Sequence, residues 1–410
     1  MHTLDELQQR IASFLSGNGV ADVEPVALDD ALGRVLAVDV QAAVSLPGAD
    51  VSAMDGYAFR AGSDGVAAGQ TLVLVGESVA GRPFAGRLAD GECVRIMTGA
   101  VVPDTADTVE MQENVVRDGE AVVLQREVRR GRNIRYCGEE LSLGECVLRA
   151  GNVLSAADIL LLASLGMAQV QVKKRLSVAV LSTGDELVEP GQPLQAVGQL
   201  YDSNRTMLKA LLRTLPVDVV DLGMLRDDLP LLKAALQQAA HTYDVIMTSG
   251  GVSVGDYDFL REAVAELGEI QAYKVKMKPG KPFVFGRIGR AVYFGLPGNP
   301  VSGFVGFSQI VRPALWQLAG AAPLPQALCL PALLTAAVRK QPGRRDFQRG
   351  LLMQEGAQWC VMPQGTQDSH RVYGLSRANC LIDLPEESGD LAAGESVTVW
   401  PFVHRWRGGD

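Results

Sequence analysis

The sequence predicts a multidomain protein of the α/β plus β class, in which a central α/β domain with a parallel sheet is flanked by β-rich segments. Strand-like and helix-like segments alternate between residues 175 and 325, which is typical of a parallel sheet covered by helices. Short apolar runs broken by glycine or proline precede and follow this region, as in small β-rich domains. The chain has 410 residues, 47% of them hydrophobic, and this length predicts roughly two to four domains.

Before residue 175, the sequence pattern predicts two helices on either side of a β-rich unit. A helix is predicted over residues 4–15, a helix-to-strand passage over 27–40, and a second helix over 155–165, where Ser155 and Asp158 have capping-box spacing. Strands are predicted at residues 71–75, 92–97, 108–112 and 121–124.

In the central domain the strands are predicted at residues 177–181, 218–222, 244–247 and 292–296. Helices are predicted from about Arg205 onward and at residues 229–240, 259–267 and 301–318. Ligands of such sheets bind beyond the carboxyl ends of the strands. Polar, glycine-containing or acidic loops follow all four strands, at residues 182–186, 223–228, 248–258 and 296–302. Four such loops at one edge predict a binding site there.

The sequence of the loop from Thr248 to Asp258 predicts an anion-binding site. It carries Ser249, Gly250, Gly251 and Ser253 between an apolar strand and a helix, where backbone N–H groups and the helix N-terminus favour phosphate or another oxyanion. The motif alone is equally typical of a tight structural turn.

Lysines and acidic residues surround this loop. As a strand, residues 273–278 would place Lys274, Lys276 and Lys278 on one face, with Lys281 in the following turn. This arrangement favours phosphate, although a solvated edge strand has the same pattern. The neighbouring acids predict Mg²⁺ held by carboxylates and phosphate oxygens, while a helix N-cap is the alternative for each, most of all for Asp185 and Asp228. These acids are Asp185, Glu186, Asp227, Asp228, Asp256 and Asp258.

Composition argues against several classes of protein. A net charge of −9 gives no global basic field for nucleic acid or a membrane surface. The first ten residues are acidic where a signal peptide would be basic, and no apolar run reaches the length of a membrane span. Six scattered cysteines and four histidines favour reduced thiols over disulfides or zinc. We therefore expect a cytoplasmic protein.

Eight motifs, taken in order, resemble those of molybdopterin molybdenumtransferase, the MoeA family that includes the gephyrin E domain. The resemblance covers nearly the whole chain. The motifs are Ser52-Ala-Met-Asp-Gly-Tyr-Ala58, Ile96-Met-Thr-Gly-Ala100, Asn133-Ile-Arg135 with Gly138-Glu-Glu140, Ser182-Thr-Gly-Asp-Glu-Leu187, Tyr201-Asp-Ser-Asn-Arg205, Ser249-Gly-Gly-Val-Ser-Val-Gly255, Lys278-Pro-Gly-Lys-Pro282 and Leu296-Pro-Gly-Asn-Pro-Val-Ser302.

The resemblance implies a cytosolic homodimer with four domains. An elongated dimerisation domain would combine residues 1–45 with 140–175, and a β-rich domain would be inserted at 46–139. The α/β molybdopterin-binding domain would span residues 176–326, and a small C-terminal β-barrel residues 327–410. The implied reaction converts adenylylated molybdopterin and molybdate into molybdenum cofactor and AMP, with Mg²⁺ as cofactor. Other proteins of molybdenum cofactor biosynthesis are expected partners.

Site residues follow from the resemblance together with the loop analysis. The expected catalytic residues are Asp55, Glu140, Asp228 and Asp258, and the expected metal ligands are Glu186, Asp228 and Asp258. The expected substrate-binding residues are Thr98, Arg135, Ser249, Gly250, Gly251, Ser253, Lys274, Lys278, Lys281, Pro297 and Pro300. Because Asp55 and Glu140 fall outside the central domain, we expect the site to form between domains, across the dimer.

The chain departs from the family pattern at two places. Gly138-Glu-Glu140 stands where the family often has Gly-Glu-Asp, so the acid is one methylene longer, and Tyr136-Cys137 replaces a pair that is often basic. Two other functions share parts of the pattern. Molybdopterin adenylyltransferase has the Ser-Gly-Gly loop but needs no additional domains, and a gephyrin-like scaffold would not need the acids at Asp55, Asp228 and Asp258.

Overall fold

The computed structural model describes residues 1–250 and 259–402 of the chain. Helix α1 spans Leu4–Leu15 and confirms the first predicted helix. Thr3 and Glu6 form a capping box at its N-terminus, which satisfies backbone donors that the first turn leaves unpaired. Its buried residues recur at helical spacing and face the main core: Leu4, Leu7, Ile11 and Leu15.

The remainder of the N-terminal region consists of short strands and one further helix. Helix α2 spans Ala156–Ser164 and begins at the predicted capping box of Ser155 and Asp158. The strands are β1 (Val23–Ala27), β2 (Val40–Gln41), β3 (Val51–Ser52), β4 (Gly56–Phe59), β5 (Thr71–Ser78), β6 (Glu92–Ile96), β7 (Thr108–Met111), β8 (Val115–Asp118), β9 (Ala121–Leu124), β10 (Ile134–Arg135), β11 (Cys146–Leu148) and β12 (Gln169–Lys173).

Two kinds of pairing organise this region. Strands β7-β4-β6-β5-β9-β8 form a six-stranded sheet with a small apolar cluster on each face. Outside it, β1 pairs with β12 and β2 with β11, so residues on both sides of the β-rich insert belong to one unit. The domain boundaries at residues 45, 139, 175 and 326 stay predictions.

The central region contains a six-stranded sheet with helices on both faces. Its elements are β13 (Leu176–Thr183), β14 (Leu187–Val188), β15 (Leu200–Tyr201), α3 (Ser203–Leu212), β16 (Val217–Leu225), α4 (Leu229–Thr242), β17 (Val245–Ser249), α5 (Phe259–Leu267), β18 (Gly268–Lys274), β19 (Met277–Lys278), β20 (Pro282–Ile288), β21 (Ala291–Leu296), α6 (Pro300–Gly306) and α7 (Arg312–Leu318). Strands β16, β13, β17 and β21 are parallel neighbours, as predicted. Strands β20 and β18 extend the sheet in antiparallel fashion, which the sequence analysis did not predict.

The prediction of one continuous strand over residues 273–278 is wrong. Strand β18 ends at Lys274, and β19 pairs instead with the C-terminal domain. Between them, the amide of Val275 donates to the carbonyl of Lys281 and the amide of Lys276 to that of His2. These turn and terminal hydrogen bonds replace a strand ladder. The alternation itself is real, because Val275 and Met277 are buried while Lys274 and Lys278 are exposed.

The predicted helix over residues 301–318 is interrupted by a π-helical turn, Phe307–Val311. Pro313 explains the interruption, because proline has no N–H and its ring clashes with the carbonyl four residues earlier. That carbonyl, of Gln309, accepts a hydrogen bond from Nε2 of Gln8 on α1 at 2.7 Å. The N-terminal helix therefore satisfies the group that the proline releases.

A closed five-stranded barrel forms the C-terminal domain. Its elements are β22 (Leu330–Leu334), β23 (Arg345–Glu355), β24 (Gln358–Pro363), α8 (Val372–Arg377), β25 (Cys380–Leu384) and β26 (Ser396–Pro401). The order β23-β24-β22-β26-β25 closes on itself because β25 also pairs with β23. The architecture confirms the predicted multidomain α/β plus β class with a parallel-sheet core and a terminal barrel.

Candidate active site

The carboxyl ends of the parallel strands bring the predicted loops together. Ser182 on β13 is in register with Ser249 on β17, which is in register with Leu296 on β21. Ser182 also pairs with Met224 on β16. The prediction that the four loops share one edge of the sheet is therefore confirmed.

Asn204 in the first turn of α3 ties two of these loops together. Its Nδ2 donates to Oγ of Ser249 at 2.8 Å and to the carbonyl of Gly298 at 2.6 Å. Its Oδ1 is buried and has no hydrogen-bond partner. The sequence analysis included Asn204 in a motif without assigning it a role.

Gly250 follows Ser249 in a conformation that favours glycine. Its φ is +97°, and a Cβ there would lie 3.3 Å from the carbonyl oxygen of Thr183. Its amide donates to the carbonyl of Leu296 at 3.0 Å. The neighbouring site residues Gly251, Ser253 and Asp258 lie outside the described residues.

A buried arginine stabilises the loop that enters α3. Arg205 is 2% exposed and donates to carboxylates of Asp202 at 2.8 Å, Asp221 at 2.5 Å and Glu189. Burial raises the pKa of the Asp221 carboxyl, but hydrogen bonds from Lys209 and Arg205 outweigh it and lower that pKa to about 2. A network this well paired is a structural support for the site rather than a set of free ligands.

The acids proposed as metal ligands have different surroundings. Asp228 caps α4 by accepting a hydrogen bond from the amide of Leu231 at 2.8 Å, so the alternative of an N-cap is confirmed for it. Asp185 instead accepts a hydrogen bond from the amide of Asp227 at 3.4 Å and links two loops. Within residues 1–250 and 259–402, no three His, Cys, Asp or Glu side chains are grouped to hold a metal ion. The Mg²⁺ site, with Glu186, Asp228 and Asp258, stays a prediction.

Two of the predicted lysines, Lys278 and Lys281, line a cavity between the central and C-terminal domains, which we call the cationic cavity. The cavity has a volume of about 700 Å³. The central domain contributes Lys278, Lys281, Asn299 and Ser302 to its lining, and the C-terminal domain contributes Arg339, Arg344 and Ser369. Lysine and arginine suit oxyanions in different ways, since lysine presents a compact charge and arginine a planar fork.

The C-terminal wall of this cavity is held by buried polar side chains. Arg349, 1% exposed, donates to the carbonyls of Thr366 at 2.5 Å and Asp368 at 3.1 Å. Asp346 is 3% exposed and faces Nζ of Lys278 at 3.4 Å. The arginines of the cavity were not predicted from the sequence, although the run from Arg339 to Arg345 is unusually basic for an acidic chain.

The other predicted lysines lie elsewhere. Lys276 pairs with Glu386 at 3.4 Å and is not among the residues that line the cavity. Lys274 is exposed at the end of β18. Of the two predicted prolines, Pro300 begins α6 and Pro297 directly follows β21.

A second polar group lies in the N-terminal region. Oδ1 of Asp55 accepts hydrogen bonds from both the amide and the hydroxyl of Thr98, each at 2.7 Å. These bonds hold the pKa of Asp55 below its usual value. Nearby, Nη2 of Arg135 lies 3.5 Å from Oε2 of Glu140 in an exposed ion pair. In the part of the chain that the structure describes, no hydrogen bond or ion pair joins these residues to the cationic cavity.

Comparison with known proteins places this geometry in a family. Residues 2–166 match the MoeA N-terminal region (domain I and II), residues 179–317 a probable molybdopterin binding domain, and residues 331–402 the MoeA C-terminal region (domain IV). A Haemophilus influenzae protein named molybdopterin molybdenumtransferase is 41% identical over 406 residues, covering 98% of this chain and 99% of that protein. The chain belongs to the MoeA family.

Other MoeA relatives agree with this assignment. The Mycobacterium tuberculosis protein named molybdopterin molybdenumtransferase 2 is 38% identical over 387 residues, which cover 92% of this chain and 95% of that protein. The crystal structure of a molybdopterin biosynthesis MoeA protein from Pyrococcus horikoshii has a TM-score of 0.85 at 28% identity and covers 98% of this chain and 100% of that chain. The family resemblance inferred from the motifs is confirmed.

The MoeA matches also locate the two polar groups. Asp55, Thr98, Arg135 and Glu140 all lie in the N-terminal region. The cationic cavity lies where the molybdopterin binding domain meets the C-terminal region, since its lining comes from both. Along the described residues, no helix is both long and apolar enough to cross a membrane.

Proposed function

We propose that this chain inserts molybdenum from molybdate into adenylylated molybdopterin and cleaves the adenylate, with release of AMP. The cationic cavity is the observation that carries the proposal. Four cationic side chains and one acidic residue, Asp368, line this cavity in a chain of net charge −9. This local excess of positive charge favours a small oxyanion there over the rest of the surface. The four cationic side chains are Lys278, Lys281, Arg339 and Arg344.

The adjoining edge of the sheet suits the organic substrate. Ser249 ends β17 next to the Pro-Gly-Asn loop. The amide of Gly250 already donates to the carbonyl of Leu296, so we assign phosphate binding to the backbone amides of the glycine-containing sequence that follows Gly250. Lys278 and Lys281 line the cavity together with Asn299 of the Pro-Gly-Asn loop, so we assign them contacts with both ligands. The residues orient both reactants and stabilise negative charge as it develops.

Mg²⁺ is part of the proposal as a cofactor that would neutralise the adenylate phosphates when bound. The donor set that we infer for it is Glu186, Asp228 and Asp258. Asp228 keeps one oxygen for its N-cap bond to Leu231, and its second carboxylate oxygen is the one we assign to the metal.

We also propose a cytoplasmic homodimer. Helix α2 is apolar nearly all round, with the sequence Ala-Ala-Asp-Ile-Leu-Leu-Leu-Ala-Ser, yet only Leu162 of it is buried and Leu160 is 69% exposed. An apolar helix with an uncovered face is typical of a protein interface. All six cysteines are free, which fits a reducing compartment.

The decisive experiment supplies purified protein with adenylylated molybdopterin, molybdate and Mg²⁺, and measures AMP release together with activation of an apo-molybdoenzyme. We expect Lys278→Gln to raise the molybdate concentration needed for half-maximal activity by about tenfold or more, because a charged contact is lost. Lys276→Gln is the matched control, since it removes the same charge outside the cavity lining.

The same assay separates the rival functions. Consumption of ATP with metal-free molybdopterin in the absence of molybdate would favour the adenylyltransferase. Full molybdoenzyme activity in cells that carry only Asp258→Ala would favour a non-catalytic scaffold.

A further inference from the structure

A second cavity, of about 490 Å³, is lined in part by Asn204 of the candidate active site. It is enclosed by α3, the segment from α6 to α7, α8 and the end of β26. Its walls are mostly apolar and include Met207, Leu211, Phe304, Phe307, Trp400 and Phe402. Cavities of roughly 300–1,000 Å³ with apolar walls and few polar groups are typical small-molecule sites. We call it the apolar cavity.

Among the described residues that line this cavity, Arg312 is the one with a charged side chain. No Asp or Glu of the described chain forms an ion pair with it, and no described residue accepts a hydrogen bond from its guanidinium. Burial, with no opposing charge, lowers its pKa. Arg312 is partly buried. The fully buried arginines all have partners, since carboxylates pair with Arg34 and Arg205 and carbonyls accept from Arg349.

Two further observations indicate that this cavity is a binding site. Asn204 also lines it, is 9% exposed, and has a buried Oδ1 without a hydrogen-bond partner. The π-helical turn over Phe307–Val311 supplies part of the lining immediately before Arg312, and π-helical turns occur frequently at functional sites.

We propose that the apolar cavity binds a small molecule with an apolar body and one carboxylate, the carboxylate lying on Arg312. A guanidinium binds a carboxylate through two parallel hydrogen bonds, and such a pair would give Arg312 the anionic partner that it lacks among residues 1–250 and 259–402. A multiply charged phosphate fits less well, because the lining contains no second cation. A purely apolar molecule would leave Arg312 desolvated without a partner.

Binding of octanoate to the full chain tests the proposal, with 1-octanol as the uncharged counterpart of equal length. Trp400 lines the cavity, so titrations can follow tryptophan fluorescence, with calorimetry as the second readout. We expect octanoate to bind at least about tenfold more tightly than 1-octanol, since a charged hydrogen bond contributes that much. Equal affinities would overturn the proposal.

Variants locate the site. Arg312→Gln should weaken octanoate about tenfold and leave 1-octanol unchanged, whereas Arg287→Gln, which removes the same charge outside the cavity lining, should leave both unchanged. Retained octanoate affinity in Arg312→Gln would contradict the assignment. If Arg312→Gln does not fold, Phe304→Trp decides, because filling the cavity should weaken both ligands. Unchanged binding in that variant would place the ligand elsewhere and overturn the proposal.

Discussion

At the scale of single residues, Asp55 shows how a partly exposed carboxylate is kept ionised without an ion pair. Thr98 donates to one of its oxygens twice, through its amide and its hydroxyl, and hydrogen bonds to the charged form lower the pKa of a carboxyl group. The lowered pKa means that this carboxylate persists to lower pH than an ordinary aspartate. A residue that must contact substrate or metal as an anion benefits directly.

We predict that Thr98→Val raises the pKa of Asp55 toward its usual value. Valine keeps the backbone amide and the shape of the side chain but removes the hydroxyl donor, so only part of the shift is lost. Carboxyl ¹³C NMR titration of aspartate-labelled protein measures the change, and Thr98→Ser, which keeps a hydroxyl, is the control. An unchanged titration of Asp55 in Thr98→Val would show that the hydroxyl does not stabilise the carboxylate.

Asp221 gives a prediction about stability and pH. Its folded-state pKa of about 2 lies below the ordinary value of 3.8. Its contribution to stability is therefore complete above about pH 4 and is lost as the pH falls through 2. We expect Asp221→Asn to lower the free energy of unfolding by roughly 1–3 kcal/mol at pH 7, because Arg205 loses one of three carboxylate partners and the aspartate is partly exposed.

Denaturant unfolding at pH 7 and at pH 3 checks this. The difference between wild type and Asp221→Asn should shrink at the lower pH. A difference that stays constant between the two conditions would mean that the ionised form of Asp221 is not what stabilises the fold.

At the scale of elements, the π-helical turn couples the first helix to the sixth and seventh. Because Pro313 cannot donate, the carbonyl of Gln309 depends on Gln8 of α1. A buried carbonyl without a partner costs about 1–3 kcal/mol. The hydrogen bond from Gln8 to Gln309 therefore connects the N-terminal helix to the central domain at the point where the π-helical turn interrupts the other helix.

We predict that Gln8→Ala lowers the free energy of unfolding by about 1 kcal/mol, because it leaves the Gln309 carbonyl unpaired. Gln9→Ala, at an exposed neighbouring position, should have little effect. In a Pro313→Ala background the helix regains an amide donor, so the cost of Gln8→Ala should fall. Equal costs in the two backgrounds would show that the proline and the glutamine are independent.

Elements also show what the sequence could and could not predict. Period-two burial of Val275 and Met277 was readable because it depends on neighbours in sequence. The break at residue 275 was not, because it depends on pairing with His2 and with β23, which lie far away in the chain. Antiparallel β18 and β20 were missed for the same reason. Strand pairing is a long-range property that a local pattern does not specify.

The candidate site also contains some residues that were predictable from the sequence and others that were not. The loops at the carboxyl edge were predictable, since parallel strands oblige their ends to meet. Arg339, Arg344 and Ser369 were not, because only the docking of the barrel against the central domain brings them to Lys278 and Lys281. Asn204 acquires its role only when α3 places it between Ser249 and Gly298.

At the scale of the whole molecule, the groups that the proposed reaction needs belong to different regions of the chain. Asp55 and Thr98 belong to the N-terminal region, while Lys278 belongs to the cationic cavity. No hydrogen bond or ion pair among residues 1–250 and 259–402 connects the two groups. A twofold dimer would solve this by joining the N-terminal group of one chain to the cavity of the other, since a symmetric interface repeats each contact.

We therefore predict that two variants, each with little activity at low molybdate concentration, restore activity under that condition when they are mixed. In a heterodimer, the Asp55→Ala chain still carries Lys278 and the Lys278→Ala chain still carries Asp55. If each site combines Asp55 of one chain with Lys278 of the other, one of the two sites is intact. Random exchange of subunits would then recover about a quarter of wild-type activity, because half of the dimers are mixed and each has one working site. Denaturation and joint refolding, followed by the AMP-release assay, measures the recovery.

Leu160→Asp in both chains should abolish this recovery, since a charge on the exposed apolar face of α2 would prevent association. If the mixture stays as inactive as either parent while remaining dimeric, each site must be built within a single chain.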